Sequence, residues 1–198
     1  MSKKKSLCAR GTNSKRIVDL NHKKMLNVGC RIPQDFFITK GKGESDITVH
    51  AGSYHLALKN AGIEMCNIIT YSSILPKIAK VVQRPKSLIH GSVMETIMAV
   101  STNKKGKRAT ASIIFSWLYD KKTGVKYGGL VCEYNGTKTI KDAEIELRTS
   151  LHELYTHGFE EQFELRGSTT ISETIKPTKR FGTAIVSLCF VNYVYPLV

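Results

Sequence analysis

Asn67-Ile68-Ile69-Thr70-Tyr71-Ser72-Ser73-Ile74-Leu75-Pro76 places two adjacent serines at the end of an apolar, strand-like run. Such a pair can be a self-cleaving peptide bond. Attack of the Ser73 hydroxyl on the Ser72 carbonyl turns an amide into an ester, which is uphill unless the bond is strained and donors hold the oxyanion. β-Elimination of the ester would release Ser72 as a new C-terminus and leave dehydroalanine, which hydrolyses to a pyruvoyl group. Such a ketone takes up amines and acts as an electron sink, the part that pyridoxal phosphate plays elsewhere. Serine pairs are also common in turns, so the surroundings must decide between a processing site and an ordinary loop.

Working outward, Pro76 blocks a helix through the segment and biases Leu75 toward extended backbone. Met65 to Tyr71 reads as an apolar strand ending at the serines, where chemistry can be exposed on a rigid scaffold. Residues 52–61 predict a short helix with Tyr54, Leu58 and Ala61 on one face and Gly62 as its C-cap. Before it, Pro33 to Thr39 has the apolar content of a first strand, and Gly41-Lys42-Gly43 is expected to break it. Those glycines lack the G-K-[ST] ending of a phosphate loop, so they read as a turn over the site.

Downstream, strands are predicted at 92–101, 110–119 and 125–134, the last two joined by a hairpin at Asp120-Lys121-Lys122-Thr123-Gly124. An amphipathic helix from Lys141 to His157 sets Ala143, Leu147, Leu151 and Leu154 on one stripe, and Gly158 kinks or ends it. Phe181 to Val191 is a strand too apolar for an exposed sheet face. Two helices against several strands, with no internal repeat, predict an α+β sandwich.

A chain of 198 residues suits one well-buried domain, and 41% hydrophobic with 23% charged residues is ordinary for a soluble protein. No apolar run reaches membrane-span length, and Met1-Ser2-Lys3-Lys4-Lys5 has no apolar segment behind it, which predicts a cytoplasmic protein without membrane attachment. Five scattered cysteines read as reduced thiols. The histidine pairs His50/His55 and His152/His157 have no ligand spacing, so no metal is expected. Of the net charge of +14, residues 1–31 carry +8, with nine Lys or Arg and one acid, Asp19. They read as a flexible basic tail on a domain spanning 32–198.

In order and spacing, Gly43-Glu44-Ser45-Asp46, the stretch Ala57 to Ile63, Asn67 to Pro76, and Leu130-Val131-Cys132-Glu133-Tyr134 resemble the pyruvoyl-dependent arginine decarboxylases. The resemblance covers about residues 32 to 198, and its most specific part is Asn67 to Pro76. His90-Gly91-Ser92-Val93-Met94-Glu95 is similar to a bacterial branch of the family. The resemblance implies a layered α/β/β/α sandwich that cuts itself between Ser72 and Ser73 and keeps a covalent pyruvoyl group derived from Ser73. It further implies a homotrimer or dimer of trimers with active sites between subunits, acting on a small amino-acid substrate.

The same resemblance assigns the site residues. Asn67, otherwise a polar residue satisfying a neighbouring backbone group, would hold the Ser72 carbonyl during the acyl shift. Glu133, ending an apolar strand, would be a carboxylic acid kept protonated by burial, donating the proton that replaces CO2. Leu58, Ser72 and Ile74 match positions lining the substrate pocket. The chain departs from the pattern at His55, where the family places an Asp to grip the guanidinium of arginine. Imidazole offers no fixed negative charge, which puts arginine in doubt as substrate and leaves Glu44, Asp46 or Glu64 to replace it.

Two function classes stand at this point. One is a pyruvoyl-dependent decarboxylase, with arginine to agmatine and CO2 as the leading reaction. The other is an uncleaved, inactive homologue that binds a polyanionic partner through its basic tail. No nucleic-acid motif is present, and the serine pair, Asn67 and Glu133 have no use in the second case.

Overall fold

The computed structural model describes residues 17–20, 23–26 and 28–197. In chain order the elements begin with β1 (Ile17–Leu20), β2 (Lys23–Leu26), β3 (Ile32–Pro33) and β4 (Asp35–Ser45). A π-helical turn at Val49–Tyr54 leads into α1 (His55–Ala61), then β5 (Asn67–Thr70), β6 (Ile74–Pro76) and β7 (Lys80–Val81). The long strands β8 (Val93–Lys104), β9 (Ala109–Asp120) and β10 (Lys126–Gly136) precede α2 (Ile140–Gly158). The chain ends with β11 (Phe163–Ile175), β12 (Phe181–Phe190) and β13 (Tyr193–Val194).

Two compact units divide the chain. One is Pro33–Tyr193 and the other joins residues up to Ile32 with Val194–Val198. In the latter, β1 pairs antiparallel with β2, and Val28 bridges Leu197. The tail expected over 1–31 thus contains a hairpin, and its residues 1–16 lie outside the described ones.

The larger unit carries two sheets, β11-β9-β10-β6 and β5-β8-β12-β4-β7. Period-two alternation explains how they are filled. On β12, Ala184, Val186, Leu188 and Phe190 join one apolar cluster while Ile185 and Cys189 join another, so both faces are covered, as the apolar run predicts. The first cluster takes Ile97 and Ala99 from β8 and Ile113, Phe115 and Val131 from β9 and β10, and is therefore shared by the two sheets. The second joins Ala57, Leu58 and Ala61 of α1 to Phe37 and Met94. The third joins Leu147 and Leu151 of α2 to Ile114, Leu118 and Leu130. The chain is an α+β protein.

Several sequence expectations are corrected. Gly41 and Gly43 do not break the first strand but lie inside β4, which runs to Ser45. A side-chain carbon on Gly41 would stand 2.6 Å from the Ala61 nitrogen, and one on Gly43 2.6 Å from the Ala57 nitrogen. These residues are glycines because the helix backbone lies directly on the strand. The thirteen-residue β11 has no counterpart in the sequence reading. It is a largely polar edge strand, irregular between Arg166 and Thr169 around Gly167 at φ +66, so its alternation is hidden. On α2, Ala143, Leu147 and Leu151 are buried as predicted, but Leu154 is 38% exposed. The Gly62 cap at φ +71 and the Asp120–Gly124 hairpin stand as predicted. No helix among the described residues is long and apolar enough to cross a membrane.

Candidate active site

The Ser72–Ser73 bond links the two sheets. β5 ends at Thr70 in the five-stranded sheet, and β6 begins at Ile74 in the four-stranded one. On the upstream side, the Tyr71 N–H donates to the Thr96 carbonyl at 2.7 Å and its hydroxyl donates to the Glu95 carboxylate. On the downstream side, the Val131 N–H donates to the Ser73 carbonyl at 3.0 Å, and Ile74 and Leu75 pair with Leu130 and Gly129. Gly128 makes this pairing close, since a side-chain carbon there would lie 2.8 Å from the Leu75 carbonyl oxygen.

Between these anchors Ser72 is exposed, and its carbonyl accepts the Ile74 N–H at 3.0 Å. The part-buried Ser73 hydroxyl meets both carboxylate oxygens of Glu133, at 3.0 and 2.9 Å. Glu133 shares the parity of Val131 on β10, whose side chain enters the cluster between the sheets. Burial pushes its carboxyl above the ordinary glutamate range, while the Ser73 hydroxyl pulls the other way. Its neighbour Cys132 is pushed up to about 11 by burial and then by the Glu133 charge. Cys132 is thus an inert thiol beside the site.

The structure brings Ser72, Ser73 and Glu133 together. Asn67 is exposed, and its side-chain amide donates to the Gly91 carbonyl at 2.9 Å. The donor found on the Ser72 carbonyl is instead the Ile74 backbone. Sequence reasoning could not find it, because a backbone N–H leaves no residue-type signature. Ile74 exposes its side chain and lines a cavity of about 200 Å³ with Leu118, Tyr127, Leu130 and Phe159. Its neighbour Leu75 points into the cluster between the sheets, so the cavity lies on the face of β6 away from Ser73.

Leu58 is buried beneath α1, and His55 is exposed at its start. Among the described residues, His55 makes no hydrogen bond to Ser72, Ser73 or Glu133. Of the carboxylates that could replace the missing Asp, Glu44 holds the Thr178 N–H at 2.7 Å and its hydroxyl at 3.0 Å. Asp46 holds the Arg180 N–H at 3.0 Å.

A serine hydroxyl seated on a half-buried carboxyl, beside an exposed residue where the chain crosses between two sheets of an α+β unit, is the arrangement on which the family comparisons bear. Residues 35–195 match the family described as pyruvoyl-dependent arginine decarboxylase. A relative of that name, AaxB of Chlamydia abortus, is 32% identical over 187 residues, covering 83% of this chain and 94% of its own. Pyruvoyl-dependent arginine decarboxylase 1 of Archaeoglobus fulgidus is 29% identical over 160 residues, covering 79% and 96%. The AaxB of Chlamydia trachomatis serovar L2 is 33% identical, with 83% and 94% covered. The chain belongs to the pyruvoyl-dependent arginine decarboxylases, a family whose covalent pyruvoyl cofactor is derived from a serine.

Proposed function

We propose that the chain is a pyruvoyl-dependent amino-acid decarboxylase, with arginine to agmatine and CO2 as its leading reaction, and that it makes its cofactor by cutting itself between Ser72 and Ser73. The observation that carries this is the Ser73 hydroxyl on the Glu133 carboxyl, next in the chain to the exposed Ser72, whose carbonyl is already held by the Ile74 N–H. The local chemistry fits the group. Ionised Glu133 accepts the Ser73 hydroxyl proton as Oγ bonds to the Ser72 carbon, and the nitrogen of residue 73 takes a proton as the peptide bond breaks. Loss of the residue 73 α-proton then breaks Cβ–Oγ, so Oγ leaves as part of the Ser72 carboxylate. Water replaces the nitrogen, which departs as ammonia.

The pyruvoyl group, once formed, supplies the electron sink that lets CO2 leave. Glu133 has by then lost the hydroxyl that drew its pKa down and keeps the burial that raises it. It is therefore better held as the neutral acid that protonates the substrate carbon. Three apolar clusters, two of them under helices and one shared by the sheets, support the family's layered α/β/β/α sandwich. We assign the family's trimeric assembly to this chain as well, with His55 and Leu58 contributing to the substrate pocket.

Denaturing electrophoresis with intact-mass measurement tests the central step. The expected products are residues 1–72 and a 126-residue fragment beginning at position 73 that resists Edman sequencing. Ser73→Ala stays a single chain and is inactive. A wild-type chain still whole after prolonged incubation overturns the proposal and turns attention to the polyanion-binding alternative.

A further inference from the structure

Glu95 is 2% exposed on β8, beside Met94 and Ile97 in the apolar layers. A carboxyl in such a place is costly unless hydrogen-bonded, and an apolar pair of the same shape would serve packing as well or better. The Glu95 carboxylate accepts a hydrogen bond from the hydroxyl of Tyr71, the residue immediately before Ser72. The pair sits where the chain leaves β5, since Ile69 and Thr70 lie opposite Glu95 and Thr96 in parallel register. The Tyr71 ring also packs 5.7 Å from that of Phe190.

The two reacting residues are therefore held by different sheets. Ser73 is fixed to β10 by its carbonyl and hydroxyl, whereas Ser72, whose carbonyl accepts the Ile74 N–H, is tied to β8 through the backbone N–H and hydroxyl of Tyr71. Resting on the self-processing proposed above, we propose that Tyr71 and Glu95 are a positioning pair for self-cleavage. They hold the Ser72 carbonyl within reach of the Ser73 hydroxyl. Neither residue touches the reacting atoms. The directional bond between them sets where Tyr71, and with it Ser72, stands relative to the other sheet.

The test is the rate at which freshly made precursor cuts itself, read on a denaturing gel, with near-UV circular dichroism showing each variant folded. Tyr71→Phe keeps the ring on Phe190 and removes the hydroxyl, and is expected to slow cleavage by roughly 10- to 100-fold, the scale of a misplaced reacting group. Glu95→Gln keeps an acceptor of the same shape and should cut near the wild-type rate, whereas Glu95→Leu should be as slow as Tyr71→Phe. The double variant Tyr71→Phe with Glu95→Leu should be no slower than either single one, because both remove one interaction. If Glu95→Leu fails to fold, Glu95→Asp, which retracts the carboxyl by one methylene, takes its place and should also be slow. Folded Tyr71→Phe cutting at the wild-type rate, or additive slowing in the double variant, overturns the proposal while leaving self-processing intact. A wild-type chain that never cuts itself removes the self-processing reading, and this proposal with it.

Discussion

On the mechanism proposed above Glu133 would carry opposite duties before and after cleavage, and the pH dependence should separate them. As the base for Ser73 it must be ionised, so the cleavage rate should rise with pH through an inflection above the ordinary glutamate range, because burial raises its pKa. As the acid for the substrate carbon it must be protonated, so turnover by processed enzyme should fall with pH through an inflection at least as high. Glu133→Gln should flatten both profiles and lower turnover by about 10²-fold or more, measured per processed chain. An unchanged decarboxylation profile in that variant would reassign the proton donor. His55 is the residue on which the proposed substrate choice turns. It brings no fixed negative charge, and a missing partner for a desolvated ion typically costs about 2–5 kcal/mol. His55→Asp should therefore improve arginine decarboxylation relative to lysine, ornithine and histidine, as read by CO2 release from each. Strong wild-type activity on arginine that this change leaves unaffected would show that His55 does not face the substrate.

Among the elements, the seating of α1 on β4 gives the sharpest stability prediction. Gly41→Ala drives a methyl group into the backbone of α1 and should cost about 1–3 kcal/mol or more, seen as a lowered thermal midpoint. Gly158→Ala, at the end of α2 with open space around it, should be neutral or stabilising by up to about 1 kcal/mol. The two substitutions are chemically identical and differ only in what the added carbon meets. The same contrast explains which elements were legible. β12 announces itself by an unbroken apolar run, because both its faces are packed, and α2 by apolar periodicity, because one face is. β11 stays hidden because it is mostly polar and bulged, and the glycines of β4 mislead because close approach by a helix selects the same residue as a turn does.

At the scale of the whole molecule, the site lies entirely within Pro33–Tyr193, while residues 1–31 hold +8 of the +14 net charge. Deleting them should leave the cleavage rate near wild type and weaken retention on an immobilised polyanion at low salt. Loss of cleavage in that truncation would show that the site depends on the other unit. Period and residue type by themselves determined the α+β class and the main strands and helices, while Ser72, Ser73 and Glu133 were singled out as candidates by the resemblance of short linear motifs to the family. Both readings were possible because local pattern and motif spacing are properties of the linear chain. The meeting of Ser73 with Glu133, sixty residues later, is different in kind. So are the placement of the Ser72–Ser73 bond between two sheets and the Tyr71–Glu95 contact. The register of β6 on β10 in one sheet and of β5 on β8 in the other decides these, and register depends on pairing between distant segments that no local pattern encodes.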